Sequence, residues 1–194
     1  MTGVRLSHED RFDAILAASR ALIEEGGIGS VTLTAIAARS GVSRQWLYEF
    51  FPDINSIFAF VYAEGRRDHF HNEPVGSAVG ADLRSYLQSR ASIYLDLPVA
   101  SAIIGVHALN GALKNTSSDL SLRDSIYANL NAVWVEPMIE RGASREHLLA
   151  SIVSLVNVIF GLVIAIDNGL TTREIAHKRL SATIEAVMLD ALDG

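Results

Sequence analysis

The sequence predicts an all-α protein, and three observations carry that prediction. Apolar residues recur at helical spacing along nearly the whole chain. Runs alternating polar with β-branched residues, the mark of strands, are scarce. Gly, Pro and Ser/Thr/Asp fall where helices should stop and start. The 194 residues are 49% hydrophobic and 20% charged, enough for a sizeable core and unlike a disordered chain. The signals divide the chain into about nine helices.

Ser7 caps a first helix reaching about Glu25, with Phe12, Ile15, Leu16, Ala18, Leu22 and Ile23 as its apolar stripe. Gly26-Gly27 stops it; the GGIG cluster lacks the spacing and preceding strand of a phosphate loop. Thr32 caps a short helix, 33–39, ended by Gly41. A second short helix runs from Arg44 to about Phe51 before Pro52, and Asp53 caps a longer one to about His71. The Pro- and Gly-containing run from Asn72 to Gly80 is the candidate domain boundary. Five helices follow: 81–96, 98–113, 118–141, 144–167 and 172–192. Pro137 should kink the third of them near Trp134, and Thr171 with Glu174 fits a capping box for the last.

Two function classes are disfavoured at once. The N-terminus lacks the apolar run of a signal peptide, and the absence of cysteine removes disulfides and thiolate metal sites. The net charge of −6 gives no global attraction to nucleic acid or anionic membrane, so any DNA-binding charge must be local. Leu148 to Ile166 holds no charge over a length near the ~20 residues that span a bilayer. Arg145 and Glu146 before it and Asp167 after it favour a buried helix of a cytoplasmic bundle, with no membrane partner.

The stretch SGVSRQWLYEFFPD places four aromatics, Trp46, Tyr48, Phe50 and Phe51, within six residues. Projection at ~100° per residue turns Leu47 and Phe51 inward toward Ile36, Ala37 and Val42. Gln45, Trp46 and Glu49 point the other way, and Arg44 and Tyr48 share an edge. Exposed large aromatics on a short helix call for a partner. Two short helices joined by a Gly-containing turn have the form of a helix-turn-helix.

VTLTAIAARSGVSRQWLYEFFPDINSIF resembles the DNA-binding domain of TetR-type (TetR/AcrR) transcriptional regulators. Thr32, Ile36-Ala37, Gly41-Val42-Ser43, Leu47-Tyr48, Phe51 and the capped helix after Pro52 carry the resemblance, over roughly the first 60 residues. It implies a helix-turn-helix domain at 1–52, a connecting helix at 53–71 and an effector-binding and dimerisation domain at 72–194. The Arg44–Phe50 helix is then the recognition helix of a dimer on a palindromic operator. Chemistry agrees: Arg44 can donate twice to guanine, and Gln45 can pair with adenine. Ser43 and Thr32, at helix N-termini, suit phosphate oxygens; the resemblance further implies that the Tyr48 hydroxyl contacts phosphate and that Thr34 lies near base edges.

The sequence departs from the family at three positions. Trp46 replaces a small hydroxyl residue, Ile54 stands where a phosphate-contacting Lys is common, and Glu49 carries negative charge toward the groove. The helix-turn-helix itself offers only Arg39 and Arg44 as cations, with Arg5 and Arg11 nearby, so a shallow salt dependence is expected. For Trp46 two readings stand open: contact with DNA, or packing on the protein's own first or fourth helix.

In the family the last two helices form a four-helix bundle across a two-fold axis, which implies a homodimer through 144–167 and 172–192. Ser151, Ser154, Gly161 and Ala165 would allow close approach, faced by Ile175, Leu180, Ile184, Val187, Met188 and Leu192. Polar and aromatic groups in apolar surroundings mark a candidate effector site: Tyr94, His107, Asn110, Tyr127, Asn131, Trp134 and Asn157. No metal-ligand spacing or nucleophile motif appears, so neither an enzyme nor a cofactor is expected. The expected function is a ligand-responsive repressor released by a small, largely apolar effector. Its alternatives are a regulator without a small-molecule effector and a helical ligand-binding protein or enzyme that no longer binds DNA.

Overall fold

The computed structural model describes residues 7–70, 82–110 and 117–193, and every described regular element is a helix. Helix α1 (His8–Gly26) opens on a capping box: Ser7 Oγ accepts from the Asp10 amide, and Asp10 accepts from the Ser7 amide. A 3-10 turn (Ile28–Ser30) leads to α2 (Leu33–Ser40), capped by Thr32 and ended at Gly41, whose φ of 71° is left-handed. Ser43 caps α3 (Arg44–Phe50), and the Asp53 carboxylate accepts from the Ser56 amide at the start of α4 (Ile54–Phe70). The four elements surround a core in which Ile15, Ile23, Ile36, Leu47, Phe51 and Ile57 are fully buried.

The remaining elements are α5 (Leu83–Tyr94), α6 (Val99–Leu109), α7 (Ser117–Leu130), α8 (Glu136–Ile139), α9 (Arg145–Asp167) and α10 (Arg173–Asp193). With α7 and α8 taken as one bent rod, the described residues form nine helices, as the sequence predicts. The predicted boundary at 72–80 lies outside the described residues. Helix α6 holds the two halves together, packing on α1 and α4 as well as on α7 and α9. The contact with α4 is close: a Cβ built on Gly65 would lie 2.2 Å from Ser101 Oγ and 3.3 Å from Pro98 Cγ. Across α1 and α4, Arg20 pairs with Glu64.

Where the sequence predicts a kink from Pro137 near Trp134, the rod is interrupted by a π turn at Asn131–Val135. A proline at 137 has no N–H to give the carbonyl four residues back, at Val133. The Tyr86 hydroxyl, from α5, donates to that oxygen instead. Replacing Tyr86 with Phe should therefore strand the carbonyl and cost about 1–3 kcal/mol. An unchanged urea midpoint in the variant would refute this account of the bend.

Helices α9 and α10 form a hairpin closed by Gly169, with a φ of 67°. Two sequence assignments need correction here. The cap of α10 is Thr172, which accepts from the Ile175 amide, one residue later than the predicted Thr171. Leu180, Ile184 and Val187 do not face outward; they are buried within the subunit, where α10 meets α9 and α5. Ser151 also turns inward, whereas Ser154 and Gly161 are exposed. Met188 and Leu192 lie outside the described side chains.

Helix α9 is long and apolar enough to cross a bilayer, yet Leu148, Ile152, Leu155, Val156, Ile159 and Phe160 are fully buried in the protein. Its other side, with Ala150, Ser154, Val158, Gly161 and Ala165, is small, uncharged and partly or wholly exposed.

Candidate DNA-binding surface and effector site

The recognition surface is built by caps and a buried turn. Val42 and Leu47 are buried beneath it, so α2 and α3 are fixed by their inner faces and free on their outer ones. Thr32, Thr34, Ser43, Arg44, Gln45 and Glu49 are exposed, and Tyr48 is 54% exposed. Six of the seven sequence-selected residues are thus exposed. The hydroxyls of Thr32 and Ser43 cap the starts of α2 and α3, and Arg44 and Gln45 open α3.

Trp46 is placed differently. It is half-buried and stacks on Phe50, with ring centroids 4.0 Å apart and planes 29° apart. His8, the first residue of α1, meets Phe50 edge-on at 4.3 Å and Trp46 at 5.2 Å. The Arg11 guanidinium sits 5.7 Å from the Trp46 ring centroid. Behind them, Phe51 packs on Phe12 and Phe60. The aromatics of this stretch therefore belong to two clusters sewn together by α1, and only Tyr48 is left open. No local signal in the sequence marks His8, which reaches α3 from 38 residues away.

Charge at the surface is sparser than composition suggests. Both guanidinium nitrogens of Arg39 donate to the Glu25 carboxylate, and that interaction holds the Glu25 carboxyl below its ordinary range. Arg39 is thus already matched by an anion, and Arg44 is the cation of α2 and α3 without such a partner among the described residues. Ile54, at the position expected for lysine, packs against the core. Arg5 lies outside the described residues. Glu25→Gln should release Arg39 for a phosphate, tighten DNA binding at low salt and steepen the salt slope by about 0.9. Titrations over a range of salt would test this, and an unchanged slope would count against it.

The effector-site candidates separate into two groups. Tyr94 and Trp134 are 2% and 0% exposed, with ring centroids 5.3 Å apart at the bend of the rod. Burial pushes the Tyr94 hydroxyl up from its ordinary range, opposed in part by Trp134, Arg66 and Arg90. It therefore stays a protonated donor at neutral pH. Asn110 Nδ2 donates to Asn157 Oδ1 at 3.0 Å, tying the end of α6 to α9 near the outer surface. His107 and Tyr127 are half-buried and Asn131 is exposed. Among the described residues no three His, Asp or Glu side chains cluster to hold a metal.

Comparison with known proteins places this geometry. Residues 15–60 match the family of bacterial regulatory proteins of the tetR type. No curated protein matches the chain. Solved structures with the same fold include a transcriptional regulator from Rhodococcus sp. Rha1, with a TM-score of 0.68 and 18% identity over 93% of this chain and 97% of that one. A tetR-family transcriptional regulator from Streptomyces coelicolor follows at 0.64 and 17%, covering 96% and 83%. A TetR transcriptional regulator from Rhodococcus sp. RHA1 gives 0.60 and 18%, covering 93% and 97%. Residues 15–60 of this chain are thus similar to the tetR family of bacterial regulatory proteins, and the chain has the fold of these solved regulators.

Proposed function

We propose that the protein is a ligand-responsive transcriptional repressor that binds a palindromic operator as a homodimer. The observation that carries the reading is the open polar face of α3 on a fully buried helix-turn-helix core. Arg44 would read guanine and Gln45 adenine in the major groove. Tyr48, Ser43 and Thr32 would hold phosphates, with Thr34 beside the base edges. Such contacts divide the labour, since phosphates fix the register and bases give the sequence.

Dimerisation would use the outer face of α9, where small uncharged residues permit close helix approach, together with Ile175, Ala182 and Ala186 on α10. Two recognition helices would then meet half-sites about one helical turn apart, ~34–36 Å, or a multiple of it. The effector would bind in the domain that follows α4, near Tyr94 and Trp134, and be largely apolar. Because α6 touches α1 and α4, a change in its position would alter the tilt of the DNA-binding unit. An effector releases DNA only if it binds the DNA-free arrangement more tightly.

The test is selection of bound fragments from genomic DNA by the purified protein, followed by Arg44→Ala. A short palindrome is expected from the wild type. The variant should lose about 1–3 kcal/mol and relax preference at one guanine per half-site. Recovery of no fragment above background at low salt would defeat the proposal.

A further inference from the structure

We infer that Trp46 is a positioning residue: with His8 and Phe50 it clamps the recognition helix to the first turn of α1, and it does not read bases. The inference rests on the DNA-binding role proposed above. A seven-residue helix is too short to hold its own orientation and depends on what it is packed against. The inner face of α3 is held by Leu47 and by Phe51 just beyond its end, both fully buried. The outer flank of α3 is held by a second contact, since Trp46 and Phe50 lie four residues apart and stack on each other.

His8 closes that stack from α1. Its ring is 4.3 Å from Phe50 and 5.2 Å from Trp46, edge-on and tilted, the arrangements that place a positive ring edge on a negative π face. Arg11, one turn further along α1, adds a cation 5.7 Å from the indole centroid. The Ser7–Asp10 capping box fixes the turn from which both side chains project. Trp46 is thereby drawn toward α1, while Arg44, Gln45 and Tyr48 remain fully free to meet a ligand. An aromatic spent on this contact is not available to a thymine methyl.

Base preference and affinity separate the two roles. Trp46→Ala should weaken binding to the selected operator and to each of its single-base variants by a similar factor, about tenfold, leaving their ranking intact. Trp46→Phe, which retains a ring to stack on Phe50, should recover most of the affinity. His8→Ala should act in the same direction as Trp46→Ala, and the double variant should be no worse than the worse single one. Loss of discrimination at one base pair in Trp46→Ala, or strictly additive His8 and Trp46 effects, would overturn the inference.

The clamp is also testable without DNA, so its failure can be told from failure of the DNA-binding reading. The chain has two tryptophans. In protein labelled with 5-fluorotryptophan, His8→Ala should shift the 19F resonance lost in Trp46→Phe and leave that of Trp134 in place. An unmoved Trp46 resonance would show that no clamp exists, whatever the protein binds.

Discussion

Trp134→Ala is expected to destabilise the protein by about 3–5 kcal/mol, the range for removing a fully buried large aromatic. Trp134 is 0% exposed, lies within the π turn and meets the Tyr94 ring of α5 at a tilt, with centroids 5.3 Å apart. Little can collapse into the space, because the neighbouring backbone is already bent and pinned by Tyr86. The measurement is a urea titration: the midpoint should fall with no change in slope. A loss below about 1 kcal/mol would mean that the bend relaxes easily, against the packing described here. Trp134→Phe should recover most of the stability and serves as the control for folding.

The second large effect is expected at Gly65. A side chain there has nowhere to go, since its first carbon would lie 2.2 Å from Ser101 Oγ. Gly65→Val should cost about 1–3 kcal/mol through overpacking and push α4 off α6. Because α4 leaves the helix-turn-helix and α6 belongs to the other half, the same change should also lower DNA affinity if the protein binds DNA as proposed above. The cause can be isolated. Gly65→Ala should be mildly destabilising, and adding Ser101→Ala should restore stability by removing the clashing oxygen. Ser101 Oγ has no hydrogen-bond partner among the described residues, so its removal carries little penalty of its own. Additive effects of the two substitutions would sink the steric explanation.

What could be read from the sequence was what is decided locally. Ser7, Thr32, Ser43 and Asp53 act on amides three residues away, and Gly41 needs only its own backbone freedom, so the helix-turn-helix was legible to within a residue or two. Pro137 likewise announced an irregular turn near Trp134. The partner of the bend did not, because Tyr86 lies 47 residues from Val133 and nothing in either segment names the other. Trp46 was ambiguous for the same reason: a helical projection shows which way a residue points, not that α1 returns to meet it. In α9, apolar on nearly every side, periodicity could not separate the inner Ser151 from the exposed Ser154. In α10 the apolar stripe was real, but an apolar stripe does not say whose core it completes, and here Leu180, Ile184 and Val187 complete their own. For the candidate effector-site residues, a polar group in an apolar segment marks a need for a partner without showing which.

The bend held by Tyr86 has a kinetic meaning as well. Val133 O accepts a hydrogen bond from a phenol on another helix, so that bond lasts only while α5 stays seated. Amide exchange around the π turn is then governed by the seating of α5, and the amides on either side of the turn should open together with the first turns of α5. A helix whose shape is set from outside behaves as a sensor of its neighbour: whatever loosens α5 would appear as faster exchange at Asn131–Val135, before any other part of the rod responds.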